Sequence, residues 1–139
     1  MKKEIGGYFQ LEELQGTEYY PDLYRVNLGR TALLWLLQTK GYKKIMGRDS
    51  NSQLKEYNAG IKNLTEICEE NHIQIEFYHL DENLNVKYPR KKLDEDEVLY
   101  LVNYYGQLTD EQILEYSRIY GNIIVDHTHA FFQKKLHGW

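Results

Sequence analysis

The chain has 139 residues, a formal net charge of −4 and a single cysteine, Cys68. This length suits one domain with one hydrophobic core. The acidic balance argues against nucleic acid as the main ligand, because neutralising phosphates needs a basic surface. A lone cysteine fits a reducing compartment, and no apolar run is long enough to be a signal segment or a membrane span. We therefore expect a cytoplasmic protein that does not cross a membrane.

Residues 1–25 contain aromatics and glycines without a sustained period, which predicts an irregular N-terminal arm. A short extended piece is expected at residues 8–11. Residues 26–139 are then expected to form one α/β domain.

A helix is predicted from Thr31, and its residues are apolar nearly all round, which indicates burial on most sides. Gly29 lies just before the first turn of this helix. A glycine there lets the backbone approach a ligand, and the N–H groups of a helix N-terminus favour an anion. The alternative is that Gly29 serves only the turn.

The rest of the chain alternates predicted strands with predicted amphipathic helices. Thr109 and Gln112 form the pattern of a capping box, and Gly121 ends the helix that they open. This alternation is typical of an α/β fold with a mostly parallel sheet flanked by helices. The predicted strands are 43–46, 73–80, 98–106 and 123–125, a further helix is 60–71, and the polar connections are 47–58 and 85–97.

Polar side chains directly follow the last of these strands, at Asp126, Thr128 and His129. In an open α/β sheet, ligands bind beyond the carboxyl ends of the strands. The sequence therefore predicts a functional site at this point. Cys68, in contrast, lies on the apolar face of its predicted helix and is interpreted as a core residue.

The strand end Asp126–Ala130 resembles a motif of the DegT/DnrJ/StrS family of sugar aminotransferases, which are fold type I pyridoxal phosphate enzymes. The resemblance implies that Asp126 pairs with the protonated pyridine nitrogen of the cofactor and that His129 bonds its phenolic oxygen. A carboxylate at the ring nitrogen keeps that nitrogen protonated, so that the ring accepts electrons.

Two further segments resemble this family, in the family's order. The segment Leu28–Leu33 is similar to the turn whose backbone amides hold the cofactor phosphate, which implies phosphate contacts from Gly29, Arg30 and Thr31. The segment Asn103–Gly106 is similar to the strand end that lies beside the cofactor, which implies a contact from Asn103. The resemblance covers roughly residues 26–137 and implies a homodimer.

The chain departs from the family pattern at three places. Arg30 replaces a threonine, and residues 47–58 lack the family's proline and ring-stacking aromatic, for which Tyr57 is a faint substitute. The lysine that carries the cofactor as a Schiff base is expected a few tens of residues after Asp126, so Lys134 and Lys135 lie too close to take that part. We therefore expect a fragment of the cofactor domain of an enzyme that acts on a nucleotide-linked keto-sugar in sugar biosynthesis. Without that lysine, the fragment alone is not expected to transaminate.

Two other functions fit the sequence. The first is a non-catalytic α/β module that binds a phosphate-bearing ligand or a protein partner. The second is a zinc site: if the last strand continues, His127 and His129 share one face, and a third ligand would come from His79 or Glu76.

Overall fold

The computed structural model describes residues 20–48 and 58–130. The predicted extended piece at residues 8–11 and most of the predicted arm lie outside these residues. The described chain contains three helices and five strands in this order: α1 (Gly29–Lys40), β1 (Lys44–Arg48), α2 (Asn58–Glu70), β2 (Gln74–Leu80), β3 (Val86–Lys87), β4 (Glu97–Val102), α3 (Asp110–Tyr120) and β5 (Ile123–Asp126).

The strands form one mixed sheet in the order β3-β2-β1-β4-β5. Strand β1 pairs in parallel with β2 and β4, and β4 pairs in parallel with β5. The α/β class predicted from the sequence is confirmed. The sheet also contains an antiparallel pair, because β3 folds back onto β2.

Strand β3 lies inside residues 85–97, so the prediction of a connection without secondary structure was wrong there. The turn before β3 is built around Asp81, whose carboxylate accepts the backbone N–H groups of Asn83 and Asn85, each at 2.9 Å. Leu84 takes a positive φ of 63° in the same turn. An aspartate that bonds its own following backbone in this way closes a tight hairpin.

Two hydrophobic clusters form the core, one on each face of the sheet. The first lies under α3 and the second lies under α1 and α2. The buried residues are Met46, Tyr78, Leu93, Leu99, Leu101, Tyr116 and Tyr120 in the first cluster, and Leu33, Leu37, Ile45, Leu64, Cys68 and Val98 in the second. The prediction that Cys68 is a core residue is confirmed, and burial raises the pKa of its thiol to about 11.

The two helical crossovers run in opposite directions across the sheet. Helix α2 connects β1 to β2 on one face, and α3 connects β4 to β5 on the other face. The direction of winding therefore changes between the neighbouring strands β1 and β4. In open α/β sheets, the carboxyl ends of such a strand pair form the crevice in which ligands bind.

Helix α1 begins at Gly29, two positions before the predicted start, and is less buried than predicted. Leu33 and Leu37 are buried against the sheet, whereas Trp35 and Leu36 are 56% and 44% exposed. The apolar residues all round the helix therefore do not reflect burial on most sides. Gly41, with φ 70°, turns the chain from the end of α1 towards β1, so α1 runs back along the sheet and its N-terminus points to the carboxyl edge.

Two strand ends differ from the predictions. Strand β1 continues through Arg48, beyond the predicted end at residue 46. Strand β4 stops at Val102, and Tyr104–Gly106 forms a 3-10 turn where the predicted strand continued. In the described part of the chain, no helix has the length and apolar character needed to cross a membrane.

Candidate functional site

Asp126 ends β5 and is held by three hydrogen bonds. Its Oδ1 accepts the backbone N–H of Thr128 at 2.8 Å and the Thr128 hydroxyl at 2.6 Å. Its Oδ2 accepts the hydroxyl of Tyr100 at 2.7 Å. The register pairs Tyr100 with Ile124, and a tyrosine is long enough to reach the diagonal neighbour two residues further along β5.

These contacts keep the Asp126 carboxyl ionised. Burial is the largest single influence and acts to raise its pKa, but the hydrogen bonds from Thr128 and Tyr100, together with the nearby His129, outweigh burial and hold the pKa of Asp126 below its usual value. The same arrangement raises the pKa of Tyr100, first through burial and then through the charge of Asp126. At neutral pH the pair therefore consists of a carboxylate and a neutral phenol.

The side chain of Asp126 lies on the face of the sheet that α1 covers. Ile124 and Tyr100 pack against the second hydrophobic cluster, which lies under α1 and α2. Asp126 follows Ile124 by two positions along the strand, so its side chain points to the same face. The N-terminus of α1 points to the same edge on the same face. The structure therefore brings the α1 N-terminus and Asp126 to one end of the sheet.

The three predicted phosphate contacts lie in the first turn of α1. Gly29 is the first helical residue, Gly29 and Arg30 are exposed, and Thr31 is half-buried. A Cβ added at Gly29 would meet nothing within 4 Å, so no close contact inside the described chain requires a glycine there. Leu28 precedes the turn without a side-chain cap, and its carbonyl accepts the backbone N–H of Thr31 at 3.0 Å. The N–H of Thr31 is therefore used inside the helix, and an anion at this N-terminus would meet the backbone before Thr31.

Asn103 is completely buried and connects two loops of this edge. Its Oδ1 accepts the backbone N–H of Leu108 at 2.9 Å, and its Nδ2 lies 3.2 Å from Nδ1 of His127. Its backbone N–H also donates to the carbonyl of Asp126 at 2.9 Å. The structure thus places Asn103 where it positions the residues that follow β4 and β5.

His129 lies among aromatic rings at the surface. Its ring centroid is 5.5 Å from that of Tyr104, in a T-shaped arrangement, and 5.5 Å from that of Tyr105. The guanidinium of Arg48 lies over the Tyr104 ring, with Cζ 4.6 Å from the ring centroid. Residues at the carboxyl ends of β1, β4 and β5 therefore meet at this edge of the sheet. We call Arg48, Tyr104, Tyr105 and His129 the edge cluster.

The geometry removes the basis of the zinc alternative. Strand β5 ends at Asp126, and Thr128–Ala130 is a 3-10 turn, so His127 and His129 do not share a strand face. Glu76 is bonded to Lys44 and Tyr88. Among the described residues, no three His, Cys, Asp or Glu side chains come together as a metal-ion site.

Sequence reasoning missed Tyr100 and Arg48. In the sequence, Tyr100 looks like one more apolar residue of a buried strand. Its hydrogen bond to Asp126 depends on the register between β4 and β5, which the sequence does not show. Arg48 had a weak local signal, because a basic residue there ends a short apolar strand.

Comparison of this chain with protein-family models, with curated proteins and with solved structures finds no match.

Proposed function

We propose that this chain binds pyridoxal phosphate without a covalent bond, as part of the cofactor domain of an aminotransferase that acts on a nucleotide-linked keto-sugar. The observation that carries the proposal is the carboxylate of Asp126, held ionised at the carboxyl edge of the sheet. In this proposal the fold is part of a fold type I large domain, and the enzyme is a cytoplasmic homodimer.

The hydrogen bonds that Asp126 already accepts leave one acceptor position, which suits the N–H of a protonated pyridine ring. A carboxylate has about four acceptor positions, and Thr128 and Tyr100 occupy two on Oδ1 and one on Oδ2. One position on Oδ2 therefore suits a ring N–H. When bound, pyridoxal phosphate supplies an electron-accepting ring for amino-group transfer.

The other predicted contacts support the same site. The first turn of α1 carries the phosphate contacts in this proposal: the N-terminal backbone at Gly29 and the positive charge of Arg30 face the anion. Thr31 contributes through its hydroxyl, because its backbone N–H donates to the carbonyl of Leu28 at 3.0 Å. His129 is exposed beside Tyr104 and Tyr105 and is assigned to the phenolic oxygen. Asn103 acts from within the fold as a positioning residue.

The experiment measures binding of pyridoxamine phosphate, because this amine form does not react with surface lysines. Isothermal titration of the chain is compared with Asp126→Asn, which removes the negative charge and preserves the shape. A charge-assisted hydrogen bond to a buried partner is worth about 1.5–3 kcal/mol, so the variant is expected to bind at least about tenfold more weakly.

Asp96→Asn is the matched control, since Asp96 lies at the opposite edge of the sheet and its carboxylate pairs with Lys43 at 3.7 Å. This variant removes the same charge and is expected to bind as the parent chain does. Equal binding of pyridoxamine phosphate by the parent and by Asp126→Asn would overturn the proposal. It would favour a non-catalytic module that binds its ligand only through the phosphate.

A further inference from the structure

We propose that a cavity on the α3 face of the sheet binds a small neutral molecule that combines a branched aliphatic group with an amide. The cavity has a volume of about 90 Å³ and lies between the β2–β3 hairpin and the loop that leads from β4 to α3. Tyr104 of the edge cluster also lines it. The Asp126 side chain lies on the opposite face of the sheet, so this site is separate from the proposed cofactor site and goes beyond the proposed function.

The inner wall of the cavity is apolar. It is formed by side chains that belong to or pack on the first hydrophobic cluster: Tyr78, Leu80, Val86, Leu101 and Leu108. The Tyr78 hydroxyl donates to the carbonyl of Tyr100 at 2.9 Å, so this tyrosine contributes its ring to the wall. Ordered water needs about two to four polar partners, which such a wall does not supply. The inner part of the cavity therefore suits an apolar group.

The volume of the cavity limits the size of that group. A water molecule occupies roughly 30 Å³ of liquid, so the cavity holds about three groups of that size. A methyl group is slightly larger than a water molecule, and an isopropyl group with its three carbons therefore fills the space. The rest of a ligand would extend towards the opening.

The polar lining of the cavity consists mainly of amide side chains. Asn83, Gln107 and Gln112 supply them, and among the described residues that line the cavity none is charged. Oε1 of Gln112 accepts the Thr109 N–H at 2.9 Å, and no described residue accepts from its Nε2. A carboxamide both donates and accepts, so these side chains match another amide. An ion would lose hydration there without a charged partner in this lining.

The conformation of Leu84 supports a ligand site at the same place. Leu84 has a φ of 63°, in the left-handed region that a leucine rarely adopts, and its N–H donates to the carbonyl of Asp81 at 3.0 Å. Asparagine adopts this conformation more readily. Leu84 nevertheless lines the cavity while 47% exposed, so it extends the apolar wall to the opening. Strain of this kind concentrates at ligand sites.

The test follows the ¹H–¹⁵N NMR spectrum of the whole chain during titration with isobutyramide, isobutyrate and acetamide. Isobutyrate has nearly the shape of isobutyramide but carries a negative charge, and acetamide lacks the branched group. We expect isobutyramide to shift the backbone signals of Leu84 and Leu108 and to bind at least about tenfold more tightly than either other probe. The inference is overturned if acetamide or isobutyrate binds as tightly, or if the shifts lie away from the cavity.

Leu84→Asn shortens the apolar wall and relieves the strained turn. This variant should bind isobutyramide about 3-fold to 10-fold more weakly, while its resistance to urea stays unchanged or rises. Leu23→Asn is the matched control, because Leu23 is 55% exposed and lies outside the cavity lining. It should bind isobutyramide as the parent does. Unchanged binding in Leu84→Asn, or an equal loss in both variants, would refute the site.

The two proposals fail separately. Asp126→Asn is expected to weaken pyridoxamine phosphate and to leave isobutyramide within about twofold, and Leu84→Asn is expected to do the reverse. Absence of pyridoxamine phosphate binding alone refutes the proposed function, while absence of isobutyramide binding alone refutes the amide site.

Discussion

At the scale of single residues, the contact between Tyr100 and Asp126 decides the charge at the candidate site. The tyrosine hydroxyl donates to the carboxylate at 2.7 Å, and both groups are partly buried. A hydrogen bond to the charged form favours that form. Tyr100 therefore helps to keep Asp126 anionic at a position where burial alone would raise its pKa.

Tyr100→Phe is expected to raise the pKa of Asp126 towards its usual value and to lower the free energy of unfolding at neutral pH by about 1 kcal/mol. Because the folded-state pKa of Asp126 is depressed, its stabilising contribution is present above the unfolded-state value of about 3.9 and is lost as the pH falls through the folded-state value. The difference between the parent and Tyr100→Phe should thus stay constant at neutral and mildly acidic pH, and it should shrink only as the pH falls below the unfolded-state value of about 3.9.

Urea unfolding at several pH values measures this difference, and a ¹³C NMR titration of the carboxyl group reports the pKa of Asp126 directly. Tyr42→Phe is the control, because the raised pKa of Tyr42 comes from burial and no carboxylate contributes to it. An unchanged Asp126 titration in Tyr100→Phe would show that this hydroxyl does not set the charge.

At the scale of elements, a few neighbouring residues determine where helix α3 begins. The Thr109 side chain accepts the backbone N–H of Gln112 at 3.2 Å, and the Gln112 side chain accepts the Thr109 N–H at 2.9 Å. The capping box predicted from the sequence is confirmed. Because α3 joins β4 to β5, this cap also supports the strand that carries Asp126.

Thr109→Ala is expected to lower the free energy of unfolding by about 1 kcal/mol, since it leaves the first-turn N–H groups of α3 without their side-chain acceptor. Chemical denaturation measures the loss. Thr39→Ala, an exposed position in the last turns of α1, is the matched control and should be neutral or slightly stabilising, because alanine has the higher helix propensity. Equal effects at the two positions would contradict a specific role for the cap.

At the scale of the whole molecule, α1 contributes one layer of the fold through a narrow buried face. Leu37 is completely buried in the cluster with Ile45 and Val98, while its neighbour Leu36 is 44% exposed. The same contact fixes the direction of the helix, and so the position of its N-terminus relative to Asp126. Stability and the proposed phosphate contact therefore depend on one packing surface.

Leu37→Ala is expected to lower the free energy of unfolding by about 2–5 kcal/mol, because it removes buried methyl groups and leaves a cavity. Leu36→Ala makes the same chemical change one residue earlier and should cost less than about 1 kcal/mol. Urea denaturation of both variants gives the comparison. A similar loss at both positions would mean that the two faces of α1 are equally packed.

The sequence predicted most helices and strands but not all of their ends. The strand that leads to Asp126 was predicted from its run of β-branched residues. The helix before that strand was predicted from its capping residues, which form local hydrogen bonds. The strand β3 was missed because it has two residues and depends on pairing with β2. The turn after Val102 was missed because tyrosines read as strand formers, whereas the hydrogen bonds of the buried Asn103 close a loop there.

By itself, the sequence determined that this is an α/β chain with Asp126, Thr128 and His129 at the end of an apolar strand, since such features are set by side-chain period and local backbone chemistry. The tertiary structure alone decided the strand order, the face on which α1 lies, and the contacts of Tyr100 with Asp126 and of Arg48 with Tyr104. Those pairs are far apart in the chain, and their proximity follows from strand register and crossover direction, which are properties of the assembled sheet.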